Sequence, residues 1–314
     1  MTTQAFPARR GARTGALLLV GILIAAFLVV GGIGVYRYAL NYWLYRGFSP
    51  PKQRPGALQH IFIRSPALGG RRQGAYVYLP PGYVKHPQQR YPTLYLLHGF
   101  PGRPDAFVLT IRAGVLDDRL SVRGLIRPMI LVMPFGSTGT FTDKEWANGI
   151  RPHEAWATFV SRDLVRAIDG RYRTIRAGRG RAIAGLSEGG YGALNIALHH
   201  PGEFRVVESW SGYQRADDLK AIFGDRQSLL TANSPLDQLA KAAPSLRRAR
   251  TYFWFYAGRD DRRLLTQNTA FAAELTRYRI PHRFLLLSGG HNWALWRAKA
   301  SLAMREASYH LGRG

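Results

Sequence analysis

Gly185-Leu186-Ser187-Glu188-Gly189-Gly190 follows the apolar run Ala182, Ile183, Ala184 and leads into the small-residue stretch Tyr191-Gly192-Ala193-Leu194. An apolar strand that breaks into G-x-S-x-G and continues as a helix is the pattern of a nucleophile elbow. A serine hydroxyl is a weak nucleophile at neutral pH, so it must be held on a tight turn beside a base. Glycine is needed on either side wherever the turn leaves no room for a Cβ. Gly185 and Gly189 occupy those positions, which makes Ser187 the candidate nucleophile. The competing reading of the hexapeptide alone is a glycine-rich turn between a strand and a helix.

Candidates for an acid and a base follow in chain order. Thr251 to Ala257 reads as a buried strand, with Gly258-Arg259-Asp260-Asp261 turning off its end. Pro281 to Leu287 reads as another, followed by Ser288-Gly289-Gly290-His291. Both groups thus fall in loops at strand ends, where a sheet presents catalytic side chains. Taken alone, Asp260 and Asp261 fit a solvated turn flanked by Arg259, Arg262 and Arg263 as well as they fit a catalytic acid.

At these residues the chain resembles the esterase branch of the α/β-hydrolases, which holds esterase D, bacterial feruloyl esterases, enterochelin esterases and the antigen 85 mycolyltransferases. The resemblance runs from about Gly56 to the C-terminus. It is carried by Val77-Tyr78-Leu79-Pro80-Pro81-Gly82-Tyr83, Tyr91-Pro92-Thr93-Leu94-Tyr95-Leu96-Leu97-His98-Gly99, the elbow, and Gly289-Gly290-His291-Asn292-Trp293. It implies a triad of Ser187, Asp261 and His291, with the acid three residues after Gly258 and Asp260 as the competitor. Ser187 would attack an ester carbonyl, His291 would relay the proton, and Asp261 would fix the ring tautomer.

Acyl transfer also requires donors for the oxyanion, usually two backbone N–H groups. One expected donor is Glu188, next after the nucleophile. The resemblance places the other at Phe100, in the loop His98-Gly99-Phe100-Pro101-Gly102, and leaves His98 a structural part in holding that loop. Glu188 departs from the family, which commonly has an uncharged residue there. A carboxylate beside an oxyanion opposes the charge that develops, unless it turns toward the helix N-terminus or an arginine.

The remaining motifs read as structural. His199-His200-Pro201 marks a helix end, because adjacent helical residues point about 100° apart and cannot share a metal. Gly69-Gly70-Arg71-Arg72 reads as a hairpin turn, since no G-K-[ST] follows it. The chain has no cysteine and no H-E-x-x-H, so neither a metal nor a cofactor is expected.

Ahead of this body, Gly15 to Tyr36 carries no charge and is rich in Leu, Ile, Val and Ala. As a helix at about 1.5 Å per residue it would span roughly 33 Å, enough for a bilayer core of about 30 Å. Arg9, Arg10 and Arg13 precede it; Tyr36, Tyr38, Tyr42, Trp43 and Tyr45 follow like an interfacial belt. The expected organisation is a basic tail over 1–14, a transmembrane anchor over 15–36, a proline-bearing linker over 37–56 and a catalytic domain over 57–314. Arg37, Arg46, Lys52 and Arg54 nearly balance the charges before the span, so the positive-inside rule barely orients it. The basic start and the lack of cysteine favour a cytoplasmic N-terminus and an extracytoplasmic catalytic domain. Secretion after cleavage near Gly32-Ile33-Gly34 is the alternative.

The formal net charge of +25 sets the chain apart. No basic helix or aromatic RNA motif accompanies it, which argues against nucleic acid and toward anionic lipid or a cell-wall polymer. Strands are expected at His60 to Ile63, Ala75 to Leu79, Thr93 to Leu97, Met129 to Met133, Arg181 to Leu186, Val206 to Trp210, Thr251 to Tyr256 and His282 to Leu287. Helices are expected at His153 to Tyr172, Ser187 to His200, Leu264 to Tyr278 and Asn292 to Leu311. Together they give an α/β-hydrolase fold, a mostly parallel twisted sheet flanked by helices, in which Ser211 to Ser245 could cap the pocket. The function expected is a membrane-anchored serine carboxylic-ester hydrolase acting on a small-molecule, lipid or cell-wall ester. Two alternatives stand beside it. One is an acyltransferase of the antigen 85 type, suggested by Trp156-Ala157-Thr158-Phe159, although that branch uses Glu as its acid. The other is a non-catalytic protein that binds a polyanion.

Overall fold

Period-two burial organises the domain. Alternate residues of the central strands pack to opposite sides, so each strand needs apolar side chains on both faces, as parallel strands covered by helices do. The computed structural model describes residues 18–33, 56–136 and 144–311. Eight strands form one sheet in the order β1-β2-β4-β3-β5-β6-β7-β8. They are β1 (Ala57–Ser65), β2 (Arg71–Leu79), β3 (Thr93–Leu97), β4 (Ile130–Pro134), β5 (Arg181–Leu186), β6 (Val206–Trp210), β7 (Tyr252–Gly258) and β8 (His282–Leu287). The pairs β1–β2 and β2–β4 are antiparallel and the other pairs are parallel.

On one face Tyr95, Leu97, Ile183, Val207, Phe253 and Phe255 join a core with α2 (Val165–Arg171), α3 (Glu188–His199), α4 (Pro235–Arg248) and α5 (Arg262–Arg277). On the other, Leu94, Leu96, Ala182, Ala184, Trp254 and Tyr256 pack with α1 (Ala113–Val122) and α6 (Trp293–His310). The expected Gly69-Gly70 turn joins β1 to β2, with Gly69 at φ 67° and Gly70 N–H donating to Ser65 O at 2.8 Å. His199 ends α3 and its ring bonds Asn195 O at 2.9 Å.

Two departures concern helices. The expected helix over His153 to Tyr172 begins at Trp156 and widens to a π-helix over Phe159–Leu164 before α2. Within Ser211 to Ser245 the chain forms short helices Lys220–Phe223 and Gln227–Ala232 and the start of α4, around a small core of Ala147, Tyr191, Ala216, Phe223 and Leu230.

The chain divides into two compact units, Met1–Arg46 and Gly47–Gly314. In the first, residues 18–33 are helical and exposed. Among the described residues no helix is long and apolar enough to cross a membrane. The two ends of the expected span, the flanking arginines and aromatic belt, and residues 37–55 of the linker lie outside the described residues.

Candidate active site

β5 delivers Ser187 to the edge of the sheet at which the parallel strands end. There the chain reverses into α3 so sharply that Ser187 takes φ 55° and ψ −120°, a left-handed conformation costly for a residue with a Cβ. The strain is sustained by close backbone packing. A Cβ on Gly185 would lie 2.1 Å from Gly189 O, and one on Gly189 would lie 2.0 Å from Leu97 O and 2.7 Å from His98 O. Ser187 N–H donates to Trp210 O at 2.9 Å, tying the turn to β6.

The loops after β7 and β8 are laced together in the same way. Arg259 N–H donates to Leu287 O at 2.8 Å and Asp260 N–H to Gly289 O at 3.2 Å, while a Cβ on Gly258 would meet Gly289 O at 2.2 Å. This brings His291 to Ser187, with Nε2 2.8 Å from Oγ. Asp261, not Asp260, faces the ring: its Oδ2 lies 3.3 Å from His291 Nδ1. The other oxygen of Asp261 caps α5 by accepting from Leu264 N–H at 3.3 Å, so one carboxylate holds both the helix and the ring. Asp260 is exposed to solvent. Burial pushes the His291 pKa below its ordinary value, the Asp261 charge and hydrogen bond oppose the shift, and Arg263 adds to it. The ring is therefore neutral at pH 7 and able to accept a proton.

His98 is fully buried and serves the neighbouring loop. Its Nδ1 lies 3.1 Å from Gly99 O, and its Nε2 is 3.0 Å from the Gly136 nitrogen. A neutral ring with the proton on Nδ1 satisfies both, donating to the carbonyl and accepting the N–H. Burial drives its pKa down to about 4, which keeps that form. Trp146 Nε1–H donates to His98 O at 2.9 Å and locks the loop from above. A Cβ on Gly99 would lie 3.1 Å from Ser187 Cβ, so the backbone just before Phe100 borders the nucleophile. Glu188 is buried in the first turn of α3, where a negative side chain complements the helix dipole. The leading N–H groups of any helix lack intrahelical acceptors, and Glu188 holds the first position.

Three participants escape the motif reading. Trp146 clamps His98, Trp296 sets its ring edge-on to His291 at 5.0 Å, and Arg263 tunes the ring electrostatically. Trp296 lies five residues past His291, the spacing at which a loop residue meets the second turn of the helix that follows. Trp156 and Phe159 of the W-x-T-F segment are buried, and Trp156 Nε1–H donates to Glu154 at 2.6 Å. The segment after β6 lines two cavities: one of about 300 Å³ bounded by Lys144, Arg151, Glu154, Asp218 and Ile222, and one of about 140 Å³ bounded by Glu145, Tyr213, Asp218, Arg263 and Gln267. Arg263 places the smaller one beside the histidine loop.

Comparison with known proteins identifies the family. The sequence model of the family described as "Putative esterase" matches residues 65–306. Over 152 residues the chain is 36% identical to an endo-1,4-beta-xylanase/feruloyl esterase of Xylanibacter ruminicola, covering 48% of this chain and 20% of that protein. It is 35% identical over 145 residues to an esterase of Mycobacterium tuberculosis, covering 46% of this chain and 30% of the relative. The chain thus spans well under two thirds of the length of these relatives. A solved structure described as a ferulic acid esterase superposes with a TM-score of 0.71 at 24% identity, covering 82% of this chain and 100% of the other. That solved chain is matched over its whole length and carries the fold with no preceding unit.

Proposed function

The chain belongs to the esterase family, and we propose that it is a serine carboxylic-ester hydrolase that works through an acyl-enzyme. The observation that carries the proposal is the continuous relay Asp261 Oδ2–His291 Nδ1–His291 Nε2–Ser187 Oγ, with steps of 3.3 and 2.8 Å across loops from three strands. His291 Nε2 removes the Ser187 proton as Oγ attacks the ester carbonyl. The resulting oxyanion accepts hydrogen bonds from the backbone N–H groups of Phe100 and Glu188. Collapse expels the alcohol, which takes the proton from His291, and water then repeats the sequence on the acyl-enzyme. Asp261 holds the ring with Nδ1 protonated and stabilises the imidazolium formed at each step.

The relatives' names make aryl esters such as methyl ferulate, and simple acetyl esters, the first donors to test. Purified residues 47–314 should give a burst of p-nitrophenol from p-nitrophenyl acetate, followed by steady turnover. No burst and no turnover with either ester would defeat the proposal. Repeating the assay with an alcohol acceptor separates hydrolysis from acyl transfer by the ratio of free acid to new ester.

Residues 15–36 act as a retained membrane anchor that holds the catalytic domain outside the cytoplasm. The uncharged run supports this, as does the described part over 18–33, whose Leu, Ile, Val and Phe side chains are all exposed and lack a core to bury them. Membrane fractionation of the full chain against a chain lacking residues 1–46 tests it. Recovery of both in the soluble fraction would refute the anchor.

A further inference from the structure

Arginine is distributed over the sheet with a polarity that the net charge alone conceals. Each of the six parallel strands has an arginine among the three residues before it: Arg90 before β3, Arg127 before β4, Arg179 before β5, Arg205 before β6, Arg250 before β7 and Arg279 before β8. The strand registers, Thr93 opposite Ile130 and Arg181, Val206 opposite Ala182 and Tyr252, and His282 opposite Phe253, put all six positions on one edge of the sheet. Those eighteen preceding residues include a single acid, Glu203, and Arg181 already holds it at 2.7 Å together with Asp169 at 2.5 Å. At the opposite edge, the three residues after each of the same strands include three acids, Glu188, Asp260 and Asp261, against one arginine, Arg259.

Two further observations fall on the arginine edge. An open groove of about 450 Å³ there is lined by Arg162, Arg166 and Arg176 together with Asp169 and Glu203, both of which pair with Arg181. The domain also begins there: Ala57 pairs with Leu79, and the adjoining Tyr78 pairs with Leu131 near the start of β4. The chain therefore reaches the domain at its arginine edge, after 55 residues that include the exposed apolar helix over 18–33.

We propose that the strand-start edge of this domain is a docking surface for the anionic headgroups of a lipid bilayer, with the catalytic loops on the side away from the membrane. The choice of lipid over another polyanion rests on the membrane reading above, since the apolar helix precedes this edge in the chain. The groove suits a phosphate headgroup, because both of its carboxylates are ion-paired to Arg181, Arg162 leans on Asp163 at 3.2 Å, and the exposed guanidinium groups of Arg166 and Arg176 remain to meet a negative charge. β5 covers about 20 Å at about 3.3 Å per residue, and the Debye length is about 8 Å at physiological salt, so lipid at one edge leaves the catalytic edge electrostatically undisturbed.

The test uses residues 47–314 and sedimentation with vesicles of phosphatidylcholine alone or mixed in equal parts with phosphatidylglycerol. Binding is expected only with phosphatidylglycerol, and it should weaken as salt rises. Exposed Arg179, Arg250 and Arg279 changed together to Gln should weaken it about a hundredfold, at about fivefold per basic residue near the surface. Arg226, Arg259 and Arg262 changed together to Gln remove the same charge from the segments after β6 and β7, and should cost less than about fivefold. Equal losses from the two triple variants would overturn the proposal in favour of net charge without a face. Failure to bind phosphatidylglycerol would overturn it as well, and binding to soluble heparin instead would assign the edge to a polymer. Hydrolysis of p-nitrophenyl acetate by the strand-start variant should match the unaltered domain; because binding is read without turnover, an inactive enzyme would leave this result standing.

Discussion

Asp261→Asn separates the two tasks that one carboxylate performs. Oδ1 caps α5 at Leu264 N–H and Oδ2 faces His291 Nδ1, each at 3.3 Å. Asn caps a helix about as well as Asp, so its carbonyl can keep the Leu264 bond and stability should change by only a few tenths of a kcal/mol, near ~0.3. Its amide then turns toward Nδ1 and can only donate, which favours the ring tautomer protonated on Nε2 and removes the base from Ser187. Loss of the tautomer and of the charge that stabilises the imidazolium should lower kcat about 10³- to 10⁴-fold. Asp261→Ala should show the same kinetic loss and also lose about 1 kcal/mol of stability with the cap. Asp260→Asn should change kcat by less than about threefold, because that side chain points to solvent. The assay is p-nitrophenyl acetate turnover beside thermal unfolding of each variant. A larger effect at Asp260 than at Asp261, or an Asp261→Asn protein of full activity, would refute the reasoning.

Further tests address the elbow, the base and the core. Gly189→Ala puts a Cβ 2.0 Å from Leu97 O, so the elbow must retreat by more than 1 Å to reach an ordinary contact of 3.4 Å; kcat/KM should fall about 100-fold, and activity within threefold of the parent would show that the turn has slack. Burial and Arg263 hold the His291 pKa below its ordinary value, and catalysis needs the neutral ring. The acid limb of kcat/KM should therefore lie below pH 6.5, with full activity above it. Arg263→Gln should move that limb to higher pH and Asp261→Asn to lower pH; the opposite displacements would contradict the assignment. Glu208 lies fully buried in β6, accepts from Trp210 Nε1–H at 3.0 Å, and has its pKa raised well above the ordinary value by burial. The folded protein thus keeps a proton that the unfolded chain releases, so stability contributed by this group falls as pH rises above the unfolded value. Glu208→Gln should flatten that decline and raise the melting temperature at neutral pH. Unchanged pH dependence would mean that the carboxyl is solvated after all.

Much of this was legible because the chemistry demands local patterns. β3, β5 and β6 lie where the apolar runs place them, since a fully buried strand is a short apolar run closed by turn residues, and the half-buried edge strand β8 also keeps its expected bounds. Ser187 stands out because Gly185 and Gly189 sit where backbone passes close to backbone, and His291 because Gly289 shortly before it takes φ 109°, a conformation that favours glycine. The helices α1 and α4 were not legible for opposite reasons. α1 places adjacent Asp117 and Asp118 inside the core, where polarity argues against burial, and α4 carries Pro244 in its interior, which reads as a helix end. Between Asp260 and Asp261 the sequence offered no local distinction; the family spacing favoured the second, and the cap that Asp261 makes on α5 supplies the physical reason. Trp146 was hidden because it belongs to no periodic element: it follows Glu145 in a turn where both residues take positive φ, and its partner His98 is far away in sequence. Trp156, which opens the W-x-T-F segment, is buried and hydrogen-bonded to Glu154.

The central claim is that Ser187 is a nucleophile activated by His291. Labelling residues 47–314 with a fluorophosphonate and locating the adduct by peptide mass spectrometry tests it most directly. The adduct should sit on Ser187 alone and should form far more slowly in His291→Ala while the fold is retained. An unlabelled Ser187, or labelling at an undiminished rate without the imidazole, would contradict the account.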